Sequence, residues 1–201
     1  MRFASKLIST LFNPVFMPLV GVLLYFFISP RYISEQTQRL VLLGVLVINV
    51  IIPYLFYLLL RNLGWVTHRD LTNLNERKIP LYLCIIVTYI TLIKITPSSI
   101  SYELYYFFLG VLGMLISCQI LVYLNFKASM HMMAIWGLTT FVIGLSIHYN
   151  VNITPLIAIL ILCVGAIATA RMYLKCHCAS EIIIGSLIGI VPQFILFGFW
   201  L

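Results

Sequence analysis

The sequence predicts an all-α fold, a polytopic transmembrane bundle of six to seven membrane helices with its active site at one membrane boundary. Composition gives the first reason: 63% of the residues are hydrophobic and 8% charged, with a mean hydropathy of +1.11, outside the range of soluble domains. The second is length, since apolar runs close to the ~20 residues that span ~30 Å of hydrocarbon recur along the whole chain. The third is placement: Arg171, His177 and Glu181 stand together where one run ends and the next begins. Ionisable groups at such a place in a membrane chain mark a functional site by default.

Taken in order, the first run opens at Asn13-Pro14 and closes near Ser29-Pro30, after a mixed segment that carries Arg2 and Lys6. A signal peptide has a short apolar core and a small-residue cleavage site. Pro14, Pro18 and the ending Phe26-Phe27-Ile28 fit a retained or re-entrant helix instead. The later runs cover residues 40–60, 80–95, 102–126, 130–148, 154–174 and 182–201. They are too long and too uniformly apolar for strands, and in lipid the backbone must satisfy itself, which leaves helices. Gly110, Gly113, Gly137, Gly144, Gly165, Gly185 and Gly189 recur inside the runs, where small residues let helices approach closely. With no internal repeat, residues 1–201 read as a single integral-membrane domain.

The net charge of +7 comes from twelve Lys/Arg against five Asp/Glu. So few cations describe loops, so the partners are membrane lipids and not nucleic acid. The five cysteines include three in apolar runs, and none shows paired zinc-ribbon spacing, so no disulfide framework or redox compartment follows. Cys176-His177-Cys178 lacks the four converging ligands of a structural zinc site.

If all seven runs cross, the loops 61–79, 127–129 and 175–181 share one face with the N-terminus. Three patches then meet there: Arg69 to Pro80 (RDLTNLNERKIP), Lys127 to His131 (KASMH), and Arg171, His177 and Glu181 in the spacing R-x5-H-x3-E. Guanidinium groups bind phosphate oxygens bidentately and neutralise the charge that builds on them during transfer. Two histidines suit attack on phosphorus and protonation of the leaving oxygen. His177 and Glu181 fall on one face if the helix has begun at His177, and the carboxylate then fixes the imidazole tautomer. Taken singly, Arg61, Arg69, Lys78, Lys127 and Lys175 are explained by snorkelling or headgroup contact. His148, at the far end of the run that holds His131, is explained by an interfacial place on the opposite face. The joint spacing on one face is what independent placement does not produce.

In this order the residues resemble the three-part signature of the type 2 phosphatidic acid phosphatase superfamily, integral-membrane lipid phosphatases related in fold to the vanadium haloperoxidases. Its patterns are K-x6-R-P, P-S-G-H and S-R-x5-H-x3-D. Arg171, His177 and Glu181 match the third in spacing, with Ala170 for its serine and glutamate for its aspartate. Ser129-Met130-His131 keeps Ser-x-His of the second without the proline and glycine. In the first, Arg77 stands for the arginine, Pro80 follows three residues on, and Arg69 lies eight residues before Arg77 where a lysine seven before is the pattern. The resemblance extends from Arg69 to Gly189.

What it implies is a metal-independent lipid phosphatase without a cofactor. His177 is then the nucleophile and forms a phosphohistidine, Glu181 holds it, and His131 is the general acid. Arg171 and Arg77, with Lys78 or Arg69, clamp the phosphate, and Ser129 bonds a phosphate oxygen. The substrate is a phosphomonoester or pyrophosphate of a lipid: phosphatidic acid, phosphatidylglycerophosphate, undecaprenyl pyrophosphate or a lipid A type. The resemblance also implies the bacterial inner membrane, with the site on its outer, periplasmic face. The Lys/Arg bias alone puts the site face inside, but without the phosphate ligands it reduces to Arg2, Lys6 and Arg61 against Arg31, Arg39 and Lys94, an even balance. Two other functions fit the composition, a catalytically degenerate lipid-phosphate-binding relative and a small transporter. Pro53 and the glycine-rich runs suit transport; charges at one boundary, without half-to-half symmetry, speak against it.

Overall fold

A computed structural model of the chain describes residues 2–66 and 74–201. Among them every regular element is a helix and none is a strand. Among the described residues seven helical stretches are long and apolar enough to cross a membrane, as the composition predicts. The first, Phe3–Ile28, is divided into α1 (Arg2–Leu11) and α2 (Met17–Ile28) at Asn13-Pro14, where Asn13 Oδ1 accepts the Val15 N–H and a short turn of 3-10 helix, Pro14–Phe16, redirects the chain. The second, Glu35–Asn62, joins α3 (Glu35–Val45) to α4 (Ile52–Asn62) through a π-helical turn, Leu46–Ile51. The third, Leu74–Ile95, is α5 (Leu74–Ile90) followed by a second π-helical turn, Thr91–Ile95. Asn49 on the first of these turns donates to Thr91 Oγ1 on the second at 2.6 Å, so two polar side chains at membrane depth satisfy one another. Four unbroken spans follow: α6 (Tyr102–Tyr123), α7 (Met130–Tyr149), α8 (Thr154–Tyr173) and α9 (Ala179–Trp200).

Several helices begin before their apolar runs do. Ser34 caps α3 by accepting the Thr37 N–H, and Glu35, Glu76 and Glu181 occupy the first turns of α3, α5 and α9. Carboxylates and caps are favoured there because the first turn exposes unpaired N–H groups, and hydropathy does not register them. The mixed segment before Asn13 is likewise helical, as α1.

Helix α7 is the axis of the bundle, with α2, α6, α8 and α9 packed on it. Its Ile135, Leu138, Phe141 and Leu145 are buried against Tyr25, Leu104 and Phe108, and Phe107 stacks on Phe141 at a centroid distance of 4.4 Å. Two glycines set how near α9 lies to α7. A Cβ on Gly189 would fall 2.5 Å from the Met133 carbonyl oxygen, and one on Gly185 would fall 2.7 Å from that of Ser129. Only a residue without a side chain allows this approach, and it brings the start of α9 onto the start of α7. At the other end of the bundle Glu103 is fully buried. It accepts from Ser101 Oγ and from the Tyr149 hydroxyl, each at 2.9 Å, and pairs with Arg31 at 3.1 Å and His148 at 3.3 Å. His148 is thus a partner of a buried carboxylate, on the face opposite His131.

Candidate active site

The site is built from helix ends. Arg171 is buried in the last turn of α8, which closes with the Cys176 N–H on the Arg171 carbonyl at 3.1 Å and the Lys175 N–H on that of Met172 at 2.9 Å. Lys175 takes the left-handed conformation, φ 53°, that this closure requires. The chain is thereby turned so that His177 comes beneath the end of the helix it has just left. Helix α9 then starts at Ala179, with Cys178 as its cap and Glu181 in its first turn. Glu181 Oε2 accepts from His177 Nδ1 at 2.7 Å and from the Cys178 N–H at 3.3 Å. The expected geometry, both residues on one helical face, is corrected: His177 precedes the helix. The carboxylate folds back onto the Cys178 N–H, as the third residue of a capping box does, and from there also receives the imidazole.

The middle patch locks onto this turn. The Ser129 N–H donates to the Glu181 carbonyl at 3.1 Å, Lys127 Nζ donates to the Cys176 carbonyl at 3.0 Å, and Arg77 Nη1, on the first turn of α5, donates to the Ala128 carbonyl at 3.1 Å. Ser129 stands at the cap position of α7 but does not cap it. Its hydroxyl is buried and has no hydrogen-bond partner among the described residues. His131, in the first turn of α7, lies with Nε2 3.0 Å from the carbonyl oxygen of Ser9. A carbonyl only accepts, so His131 carries a proton on Nε2. Ser9 Oγ is 3.4 Å from the same nitrogen and accepts from Arg171 Nη1 at 2.8 Å. Nothing in the sequence pattern singled out Ser9. The one available signal was the pair Ser5 and Ser9, four apart, in a segment able to be helical.

The electrostatics follow from burial. Loss of solvent, together with the charges of Arg171 and Arg77, pushes the His177 imidazole from its usual 6.5 down to about 4, against the upward pull of Glu181. At neutral pH the ring is uncharged, and with Nδ1–H given to the carboxylate its Nε2 lone pair is the reactive face. Of the residues expected to clamp phosphate, Arg171, Arg77 and Ser129 are brought to His177 in this way. Lys78 is not: its ammonium lies over the Tyr123 ring, 5.4 Å from the centroid, because the residue after Arg77 on a helix faces about 100° away. Arg69 lies outside the described residues. Among the described residues no group of three or more His, Cys, Asp or Glu gathers as a metal site.

The arrangement therefore joins a neutral, carboxylate-backed imidazole, a second imidazole protonated on Nε2, two buried guanidinium groups and the N-terminal ends of α7 and α9, whose dipoles favour an anion. Such a set can bind a phosphoryl group and pass it through nitrogen. Compared with models of known protein families, with curated proteins and with solved structures, the chain gives no match.

Proposed function

We propose that the chain is a membrane lipid phosphatase that hydrolyses a phosphomonoester or pyrophosphate of a lipid through a phosphohistidine, as its resemblance to the type 2 phosphatidic acid phosphatases implies. The observation that carries the reading is the 2.7 Å contact between His177 Nδ1 and Glu181 beside Arg171 and Arg77, which leaves a neutral nucleophile among cations.

In this mechanism His177 Nε2 attacks phosphorus, the P–O bond to the lipid breaks, and His131 in its protonated form gives its Nε2 proton to the leaving oxygen. Arg171, Arg77 and the Ser129 hydroxyl hold the equatorial oxygens, where charge accumulates. Glu181 stabilises the positive charge that appears on His177. His131, now neutral, takes a proton from the water that attacks the phosphohistidine. The P–N bond breaks, inorganic phosphate leaves, and both histidines return to their starting states. The substrate's tail lies in the bilayer while its phosphate reaches the boundary where these helix ends meet. We place the protein in a bacterial inner membrane with this face outward, as the resemblance implies.

The test is release of inorganic phosphate from a panel of lipid phosphates by detergent-purified protein, with His177→Ala alongside and EDTA present. Release by the unaltered chain alone, insensitive to EDTA, is the expected result. Full activity of His177→Ala, or activity lost to EDTA and restored by zinc, overturns the scheme. No release from any lipid favours a degenerate lipid-phosphate-binding relative or a transporter.

A further inference from the structure

Helix α1 sets a competitor against the substrate. Ser9 Oγ takes an N–H of Arg171 at 2.8 Å, and the Ser9 carbonyl takes the Nε2–H of His131 at 3.0 Å. In the reaction proposed above, those two donors serve a phosphoryl oxygen and the leaving oxygen. His131 Nε2 carries one proton, so it cannot serve the Ser9 carbonyl and the leaving oxygen at once. At Arg171 Ser9 takes one of the five N–H donors of the guanidinium, so there it competes for a position and not for the whole group.

The rest of α1 is fitted for withdrawal. None of residues 3–11 is buried, whereas α2 buries Met17, Gly21, Val22, Tyr25 and Ile28. Helix α1 packs chiefly on α8, beside a groove of about 330 Å³ lined by Ala4, Ser5 and Ile8 on α1 and by Ala166, Thr169 and Tyr173 among others on α8. On the α1 side none of these side chains is fully buried, so withdrawal gives up only partly covered apolar area, at about 25 cal/mol per Å². Between α1 and α2 the helical ladder is already interrupted at Asn13-Pro14, since proline has no N–H to give.

We propose that α1 is a lid over the phosphate site, with the two oxygens of Ser9 holding the places of two substrate oxygens until a phosphate dianion, free or esterified, displaces them and α1 turns away from α8 about Asn13-Pro14. The proposal rests on the phosphate site of the preceding section. It commits to the phosphoryl group, whether free or on a lipid, as the displacing agent.

Hydrogen–deuterium exchange on the full chain in detergent tests it in two arms, inorganic phosphate with the unaltered chain and phosphatidic acid with His177→Ala, which prevents turnover. In both arms residues 171–181 should exchange more slowly while residues 2–11 exchange faster. Slower or unchanged exchange at 2–11 alongside protection at 171–181, or opening by the lipid alone, overturns the lid and leaves the phosphate site standing. No protection at 171–181 in either arm removes the phosphate site and the lid with it. Ser9→Ala keeps the carbonyl contact but loses the hydroxyl, and should lower the phosphate concentration for half-maximal protection by about threefold or more. Ser9→Asp sets a carboxylate against Arg171 and His131 and should raise it by about tenfold. A Ser9→Ala midpoint that rises or stays the same makes Ser9 a ligand or a bystander and overturns the proposal, whatever becomes of Ser9→Asp.

Discussion

Replacing Glu181 by glutamine removes a charge while keeping length and one acceptor oxygen. The carboxylate now receives His177 Nδ1 at 2.7 Å and the Cys178 N–H at 3.3 Å. A hydrogen bond to a charged group contributes about 1.5–3 kcal/mol and a neutral one about 0.5–1.5, so the exchange costs about 1–1.5 kcal/mol. If that difference is felt in the transition state, where the imidazole becomes positive, it is about tenfold in kcat. The titration gives a second, independent signature. In the proposed reaction the reactive form of His177 is neutral, and with its pKa lowered to about 4 activity should be present above that pH and lost as pH falls through it. Because the Glu181 carboxylate pulls this pKa upward, its removal lowers the pKa further and moves the acid limb to lower pH. The rate effect is read from kcat and the titration from kcat/KM for phosphate release between about pH 3.5 and 8, with circular dichroism as a check that the helices persist. An unchanged kcat refutes the role given to the pair, and an acid limb displaced upward refutes the electrostatic account.

Other perturbations follow from the same geometry. Arg77→Ala should lower kcat/KM by about 10²–10³, the usual loss for one preorganised donor, while Lys78→Ala, whose ammonium sits over Tyr123, should cost far less; equal losses would show that the Lys78 side chain turns into the site. Gly185→Ala sets a Cβ 2.7 Å from the Ser129 carbonyl oxygen, and such overpacking destabilises by about 1–3 kcal/mol, seen as a lower Tm together with a lower rate because Ser129 and His131 shift with the backbone. Glu103→Leu leaves His148 and two tyrosines around an apolar side chain; breaking a buried pair in this way costs about 3–5 kcal/mol, toward the low end here because Arg31 is half exposed, and the loss is measured by thermal unfolding.

Most of the architecture was legible because hydrocarbon imposes length and polarity together. The residue span of each run and the segregation of His148 from His131 both follow from that one constraint. The helix starts were less legible, since Glu35, Glu76 and Glu181 are polar residues that a helix end favours and a hydropathy pattern rejects. In the site, spacing brought Arg171, His177 and Glu181 together for a reason other than the expected one. The contact comes from a cap that the sequence Cys178-Ala179-Ser180-Glu181 does not announce, because cysteine is not a common cap residue. Lys78 illustrates the opposite case, a cation adjacent in sequence to Arg77 whose direction only the helix phase decides. Ser9 was beyond reach for a further reason: its contacts bridge α1 to α7 and α8, across most of the chain, and no local pattern encodes a pairing of that separation.

The two polar ends of the bundle also bear on one another through the first span. At its C-terminal end Tyr25 donates to Glu103 at 3.4 Å, Ser29 donates to the Tyr149 hydroxyl at 3.1 Å, and Arg31 pairs with the same carboxylate at 3.1 Å. These contacts are in or beside the membrane, where an unsatisfied polar group is expensive, so they fix α2 firmly. At its N-terminal end the same span is held by the Ser9 contacts and by packing on α8 in which no residue from 3 to 11 is fully buried, beyond a proline that has already interrupted the helix. A span anchored at one boundary and weakly held at the other bends at its break when its free end is displaced. Weakening the Glu103 anchor should therefore change the stability of the fold without changing how readily phosphate displaces Ser9, and weakening the Ser9 contacts should do the reverse. That separation of effects is what a lid requires and what a uniformly packed first span would not give.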